Sequence, residues 1–175
     1  MRRTVWALGL AALALPVALR AQTATATVNA SVTIAPTIAA TTTSDLSFGT
    51  IPYGGGATLD VTGTAGNGQT FGVVKIDYNA NVSVAVASAN GGDLKNGTNS
   101  IAVTYACGYS TNPSNTTGGA SSSVACNALP NLTTTAGTAA TSYLKIGGSI
   151  ASGANTQKPF GTYTDVLTVT VSYVP

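Results

Sequence analysis

Histidine and glutamate are absent from this 175-residue chain, and charge of either sign is scarce: 7 Lys and Arg, 5 Asp, 7% of residues in all. An average soluble domain carries about 25%. Without histidine no Ser-His-Asp triad can be assembled. The five carboxylates, Asp45, Asp60, Asp77, Asp93 and Asp165, are scattered beside strand ends and turns, where short polar side chains bond their own backbone. They do not read as the paired carboxylates of a glycosidase, and no D-x-D-x-D-G run offers a calcium loop. Tyr53-Gly54-Gly55-Gly56 lacks the order of a phosphate loop. A formal charge of +2 is too small for a nucleic-acid footprint. The chain therefore reads as a non-enzyme, with no cofactor, no metal, no nucleic acid and no small-molecule substrate. Tyrosine faces for sugar stacking are the remaining ligand option, but tyrosines in such a chain serve core and cross-strand packing.

Long hydrophobic runs are also few. The one present, Val5 to Leu19, follows Arg2 and Arg3, contains Pro16 and precedes Arg20-Ala21. That is the three-part pattern of a secretory signal peptide over residues 1–21, and it is too short for a comfortable membrane span. Beyond it stand four Lys against five Asp, with no Arg, Trp or Met. A net charge of −1 repels other copies weakly, which favours association.

Only two cysteines occur, Cys107 and Cys126, with eighteen residues between them. In an exported chain a disulfide is the expectation, worth about 3 kcal/mol on a loop-entropy basis.

What is plentiful is Thr, Ser, Asn, Gly and Val, arranged with a period of two, the signature of half-buried strands. The longest unbroken alternation is Ala24 to Ile34, with Ala24, Ala26, Val28, Ala30, Val32 and Ile34 on one face; eleven residues span ~36 Å as a strand. Pro36 interrupts it, and Thr41-Thr42-Thr43-Ser44-Asp45 reads as a flexible connector. Further strands are expected over Leu46–Ile51, Ala57–Thr64, Phe71–Tyr78, Val82–Val86, Ile101–Ala106, Tyr143–Ile150 (broken at Gly147-Gly148) and Asp165–Val174. Long loops fill residues 108–142. About eight strands with frequent turns predict an all-β immunoglobulin-like sandwich, with a closed barrel as the competing all-β form.

The leading segment, residues 22–35, needs a sheet edge, because a strand alone in water is unstable. It either completes its own sandwich or inserts into that of a neighbouring subunit. The second choice is a head-to-tail contact that need not close, and so yields a fibre.

The C-terminal stretch Phe160-Gly161-Thr162-Tyr163-Thr164-Asp165-Val166-Leu167-Thr168-Val169-Thr170-Val171-Ser172-Tyr173 resembles the final strand of the spore coat protein U family, which includes the pilins of archaic chaperone–usher pili. Ser44-Asp45-Leu46-Ser47-Phe48-Gly49-Thr50 is similar to that family's early L-x-F-G strand. Ile146-Gly147-Gly148-Ser149-Ile150, followed by a linker and Gly161-Thr162-Tyr163, resembles the spacing of its last two strands. The family's frequent cysteine ahead of L-x-F-G is missing here.

The resemblance implies a sandwich lacking one strand. A periplasmic chaperone would fill the gap before an outer-membrane usher exports the subunit to a surface fibre with roles in adhesion or biofilm. It implies a donor face of Ala26, Val28, Ala30, Val32 and Ile34 (domain layout 22–40 for donor strand and linker, 41–175 for the sandwich). The acceptor edge would be Leu167, Val169, Val171 and Tyr173, and the product a homopolymer by strand exchange. The competing reading is a monomeric secreted binding module or adhesin that completes its own sandwich.

Overall fold

The computed structural model describes residues 24–66 and 68–175; the expected signal segment, 1–21, lies outside them. The described residues contain strands and no helix, so no helix among them is long and apolar enough to cross a membrane. There are ten strands: β1 (Ile38–Ser44), β2 (Ala57–Leu59), β3 (Gly72–Tyr78), β4 (Val82–Ser88), β5 (Asp93–Asn96), β6 (Asn99–Ala102), β7 (Thr104–Ser110), β8 (Val124–Ala125), β9 (Ala140–Ile150) and β10 (Leu167–Tyr173). All pair antiparallel. One sheet has the order β1-β3-β9-β7-β8, with β2 on the far end of β9; β10 pairs with β4, and β5 with β6. A bridge between Lys95 and Thr164 joins the β5–β6 hairpin to the approach of β10.

The two-residue period expected from the sequence sets the layers. Val74, Ile76 and Tyr78 of β3, Leu144 and Ile146 of β9, and Val82 and Val84 of β4 are buried together with Cys107 and Cys126. Leu167, Val169 and Val171 of β10 pack on them half-buried. The large sheet and the β4–β10 pair thus face one another across a shared apolar layer, a sandwich-like arrangement. A second cluster, Phe48, Leu59, Val61, Phe71, Val73, Ile101 and Val103, covers the other end of β3 and β9. Lys145 of β9 is fully buried, its ammonium donating to the Ser114 carbonyl oxygen.

β3, β4, β9 and β10 fall where alternation predicts them. Gly147-Gly148 does not break β9. A Cβ on Gly147 would stand 2.2 Å from the Leu59 carbonyl oxygen, and one on Gly148 2.4 Å from that of Thr104; the glycines let β2 and β7 approach β9 closely.

Four expectations are corrected. The strand expected over Ile101–Ala106 divides at Val103 into the end of β6 and the start of β7, which belong to different sheets. The Thr41–Ser44 stretch is no connector but the second half of β1, so the sandwich unit begins before residue 41. Threonine's β-branch suits a strand, and β1 needs no apolar face because the β3 ladder holds it at the sheet edge. Leu46–Ile51 forms only a bridge from Ser47 to Thr70, since a β-bulge between Thr42 and Ser44 turns the chain out of the ladder. Ala57–Thr64 stops at Leu59, where Asp60 Oδ1 accepts the Thr62 N–H at 3.0 Å and closes a turn.

Ala24–Thr33, part of a separate unit from residues 34–175, is exposed and carries no strand assignment.

Candidate functional site

One feature stands out on the sandwich unit: a groove of about 950 Å³ along the side where β1 and β10 are the edge strands. One wall is Ala40, Thr42 and Ser44 of β1, continued by Leu46, Phe48 and Ile51. The floor includes Val74, Ile101, Tyr105, Ile146 and Ile150. The other wall is Tyr163, Val166, Leu167 and Val169.

The β10 wall has an unsatisfied backbone, and the ladder shows which groups are involved. At the two ends of the β4–β10 pairing, the Ala89 N–H donates to the Val166 carbonyl oxygen and the Val174 N–H to that of Asn81, both at 2.9 Å. Bonded positions alternate in an antiparallel ladder. Thr168, Thr170 and Ser172 therefore direct their backbone groups to β4, with the Val166 carbonyl and the Val174 N–H at the two ends. Leu167, Val169, Val171 and Tyr173 direct theirs to the open side, where no strand among the described residues pairs with β10. The residues expected as an acceptor edge are those with free donors and acceptors. Leu167, Val169 and Val171 also turn their side chains inward. Leu167 and Val169 line the groove; Val171 and Tyr173 lie beyond its lined portion.

A polar cluster fixes the start of that edge. The Asp165 carboxylate accepts the Ser88 hydroxyl at 2.6 Å, the Tyr105 hydroxyl at 2.9 Å, the Asn90 N–H at 3.1 Å and the Val166 N–H at 2.8 Å. Burial alone pushes the Asp165 carboxyl up, but these bonds outweigh it and hold the group below its ordinary 3.8. Burial, then the bond to Asp165, drives the Tyr105 phenol well above its usual range. Elsewhere, Lys75 Nζ lies 2.6 Å from Asp77; their hydrogen bond raises the lysine and lowers the aspartate. Burial lowers the Lys145 ammonium.

Of the expected donor face, Val28, Val32 and Ile34 are 88%, 85% and 88% exposed, and Ala26 and Ala30 are exposed too. Cys107 and Cys126 form the expected disulfide, which ties the short β8 region to β7 and suits a non-reducing compartment. Sequence reasoning missed β1 as the second wall, because a Thr-rich edge strand has no apolar stripe to reveal it. It also missed the Asp165 cluster, whose partners are 60 to 77 residues apart.

Among the described residues no three His, Cys, Asp or Glu side chains gather as a metal site. Comparison with protein-family models, with curated proteins and with solved structures finds no match.

Proposed function

We propose that this protein is a structural subunit of a secreted surface fibre, assembled head to tail by exchange of the leading strand. The observation that carries the proposal is the groove bounded by the unpaired edge of β10, with Leu46, Phe48, Ile51, Leu167 and Val169 among its lining residues. Beside it stands the chemistry of the segment that matches it. Residues 24–37 carry no charge, alternate apolar with polar from Ala24 to Ile34, and expose Val28, Val32 and Ile34. Of the seven exposed large hydrophobic side chains among the described residues, those three belong to the leading segment. Tyr53, Phe160 and Val166 line the groove, and Tyr173 lies on the β10 edge. Exposed apolar surface concentrated on two complementary parts of one chain favours self-association.

Strand order supports an immunoglobulin-like but incomplete sandwich. That fold has strands A-B-E-D in one sheet and C-F-G in the other. The orders β1-β3-β9-β7 and β4-β10 correspond to A-B-E-D and C-F, with the G position beside β10 left for a donor. In this reading Ala26, Val28, Ala30, Val32 and Ile34 of one subunit supply the missing strand of the next.

The resemblance to the spore coat protein U family extends the proposal to a periplasmic chaperone that holds the groove before assembly. It extends it also to an outer-membrane usher that passes the subunit to the cell surface, where the fibre serves adhesion or biofilm. Deleting residues 22–35 tests the assignment. Export and folding persist while fibres vanish from electron micrographs of material sheared from cells. Fibres formed by the deleted chain refute it, and a stable full-length monomer on size exclusion favours the binding-module alternative.

A further inference from the structure

The groove has a mouth that strand pairing does not account for. Phe160 is 90% exposed, Val166 66% and Tyr53 62%, and all three line the groove. The loops that carry Tyr53 and flank Phe160 are tied by hydrogen bonds. Asn155 Oδ1 accepts the Gly54 N–H and its Nδ2 donates to the Pro52 carbonyl oxygen, each at 2.8 Å. The Gln157 N–H donates to the Tyr53 hydroxyl oxygen at 3.3 Å, and the Tyr163 hydroxyl donates to the Pro159 carbonyl oxygen at 2.9 Å. Large apolar side chains grouped in water mark a contact surface.

The backbone says what reaches it, given the strand-exchange reading on which this inference rests. β1 begins where β10 ends: Ile38 pairs with Tyr78, the Thr37 N–H donates to Asn79 Oδ1 at 2.7 Å, and the Val174 N–H donates to the Asn81 carbonyl oxygen at 2.9 Å. The exposed patch lies at the other end of β10, beside Leu167. A donor running antiparallel to β10 leaves the groove at the patch, so each copy receives one neighbour at each pole. A parallel donor would crowd both neighbours at the Tyr173 pole.

Antiparallel insertion also brings the bulkiest donor side chains, Val32 and Ile34, to the end lined by Leu167 and Val169. Keeping inward faces together sets Ile34 opposite Leu167, Val32 opposite Val169, Ala30 opposite Val171 and Val28 opposite Tyr173. Ala35 and Pro36 then fall at Val166 and Asp165. From Ile34 to the start of β1 at Ile38 the chain can span at most about 14 Å. Pro36 keeps Ala35 extended, and Thr37 is already bonded to its own domain.

We infer that Phe160, Tyr53 and Val166 of one copy receive the Ala35-Pro36 connector of the next copy, so that consecutive subunits meet through a stiff docked joint and not a loose tether. Two cysteine pairs in the full exported chain test this. A Val32→Cys/Val169→Cys chain reports strand exchange, because opposed residues at bonded positions stand about 5.5 Å apart, within disulfide reach. A Pro36→Cys/Phe160→Cys chain reports the joint. Both are expected to give ladders on a non-reducing denaturing gel that collapse to monomer on reduction. Separately, Phe160→Ser is expected to lower the persistence length of the fibres that form several-fold in micrographs, with Phe160→Tyr restoring it. A ladder from the first pair and none from the second overturns the joint alone, as does unchanged stiffness in Phe160→Ser. Loss of both ladders overturns strand exchange and the joint with it.

Discussion

Replacing Val32 with aspartate separates burial on one face of the leading segment from a general stickiness of that segment. In the proposed assembly Val32 leaves water, where it is now 85% exposed, for the groove wall at Val169. Burying a valine contributes about 1.5–3 kcal/mol. An aspartate in its place forfeits that and adds an unpartnered carboxyl group, protonated or not, at a further cost of about 1–3 kcal/mol. The loss is about 2.5–6 kcal/mol per contact, and at 1.4 kcal/mol per decade the concentration needed for assembly rises by about two to four powers of ten. Ser31→Asp adds the same charge one residue away, on the face that stays in water, and shifts assembly by less than about tenfold. The assay is light scattering against concentration for the purified chain prepared without residues 1–21, with circular dichroism as the check that each variant folds. Equal weakening by the two substitutions would refute the reasoning, since it would mean charge, not a buried face, sets the effect. So would normal assembly of Val32→Asp.

Asp165 carries a pH prediction. Its folded-state pKa lies below the ordinary 3.8, so its contribution is full above that value and is lost as pH falls through and below it. Asp165→Asn lowers stability at neutral pH by about 1–3 kcal/mol and flattens the acid limb of a denaturant-melting series; an unchanged acid limb contradicts the bond set around it. Lys145 has the opposite sense. Burial depresses its pKa below 10.5, so the unfolded chain binds more protons between the two values and stability rises with pH across that window. Lys145→Met removes that rise, and retention of the slope in the variant would place its origin elsewhere.

The strands that pack an apolar face on the core were the legible ones. β3 and β9 are apolar at alternate positions because each meets a neighbour at either edge and a core beneath, and β10 showed itself through Leu167, Val169, Val171 and Tyr173. Their sequences answer to their own packing. β1 answers to something else. Ile38-Ala39-Ala40-Thr41-Thr42-Thr43-Ser44 is almost wholly exposed, and its place is dictated by the β3 ladder and by Asn79, some forty residues on; nothing local marks it beyond threonine's preference for extended backbone.

The leading segment is the reverse case. Its alternation is the cleanest in the chain, yet Ala24–Thr33 carries no strand assignment, because alternation specifies a face and not a partner. Within the sandwich unit, β10 supplies four residues with free backbone groups and three inward side chains. A segment with a face and no ladder, and an edge with a ladder and no strand, are each incomplete in the way the other could supply. The same logic limits how the two can meet. Inward side chains must oppose inward side chains, so the allowed registers differ by two residues. Moving Ile34 two places past Leu167 would set the largest donor side chain against the Asp165 carboxylate and one of the smallest, Ala30, against Val169. The charge-free sequence from Ala24 to Thr37 does not select a register; the gradient from alanine to valine and isoleucine does.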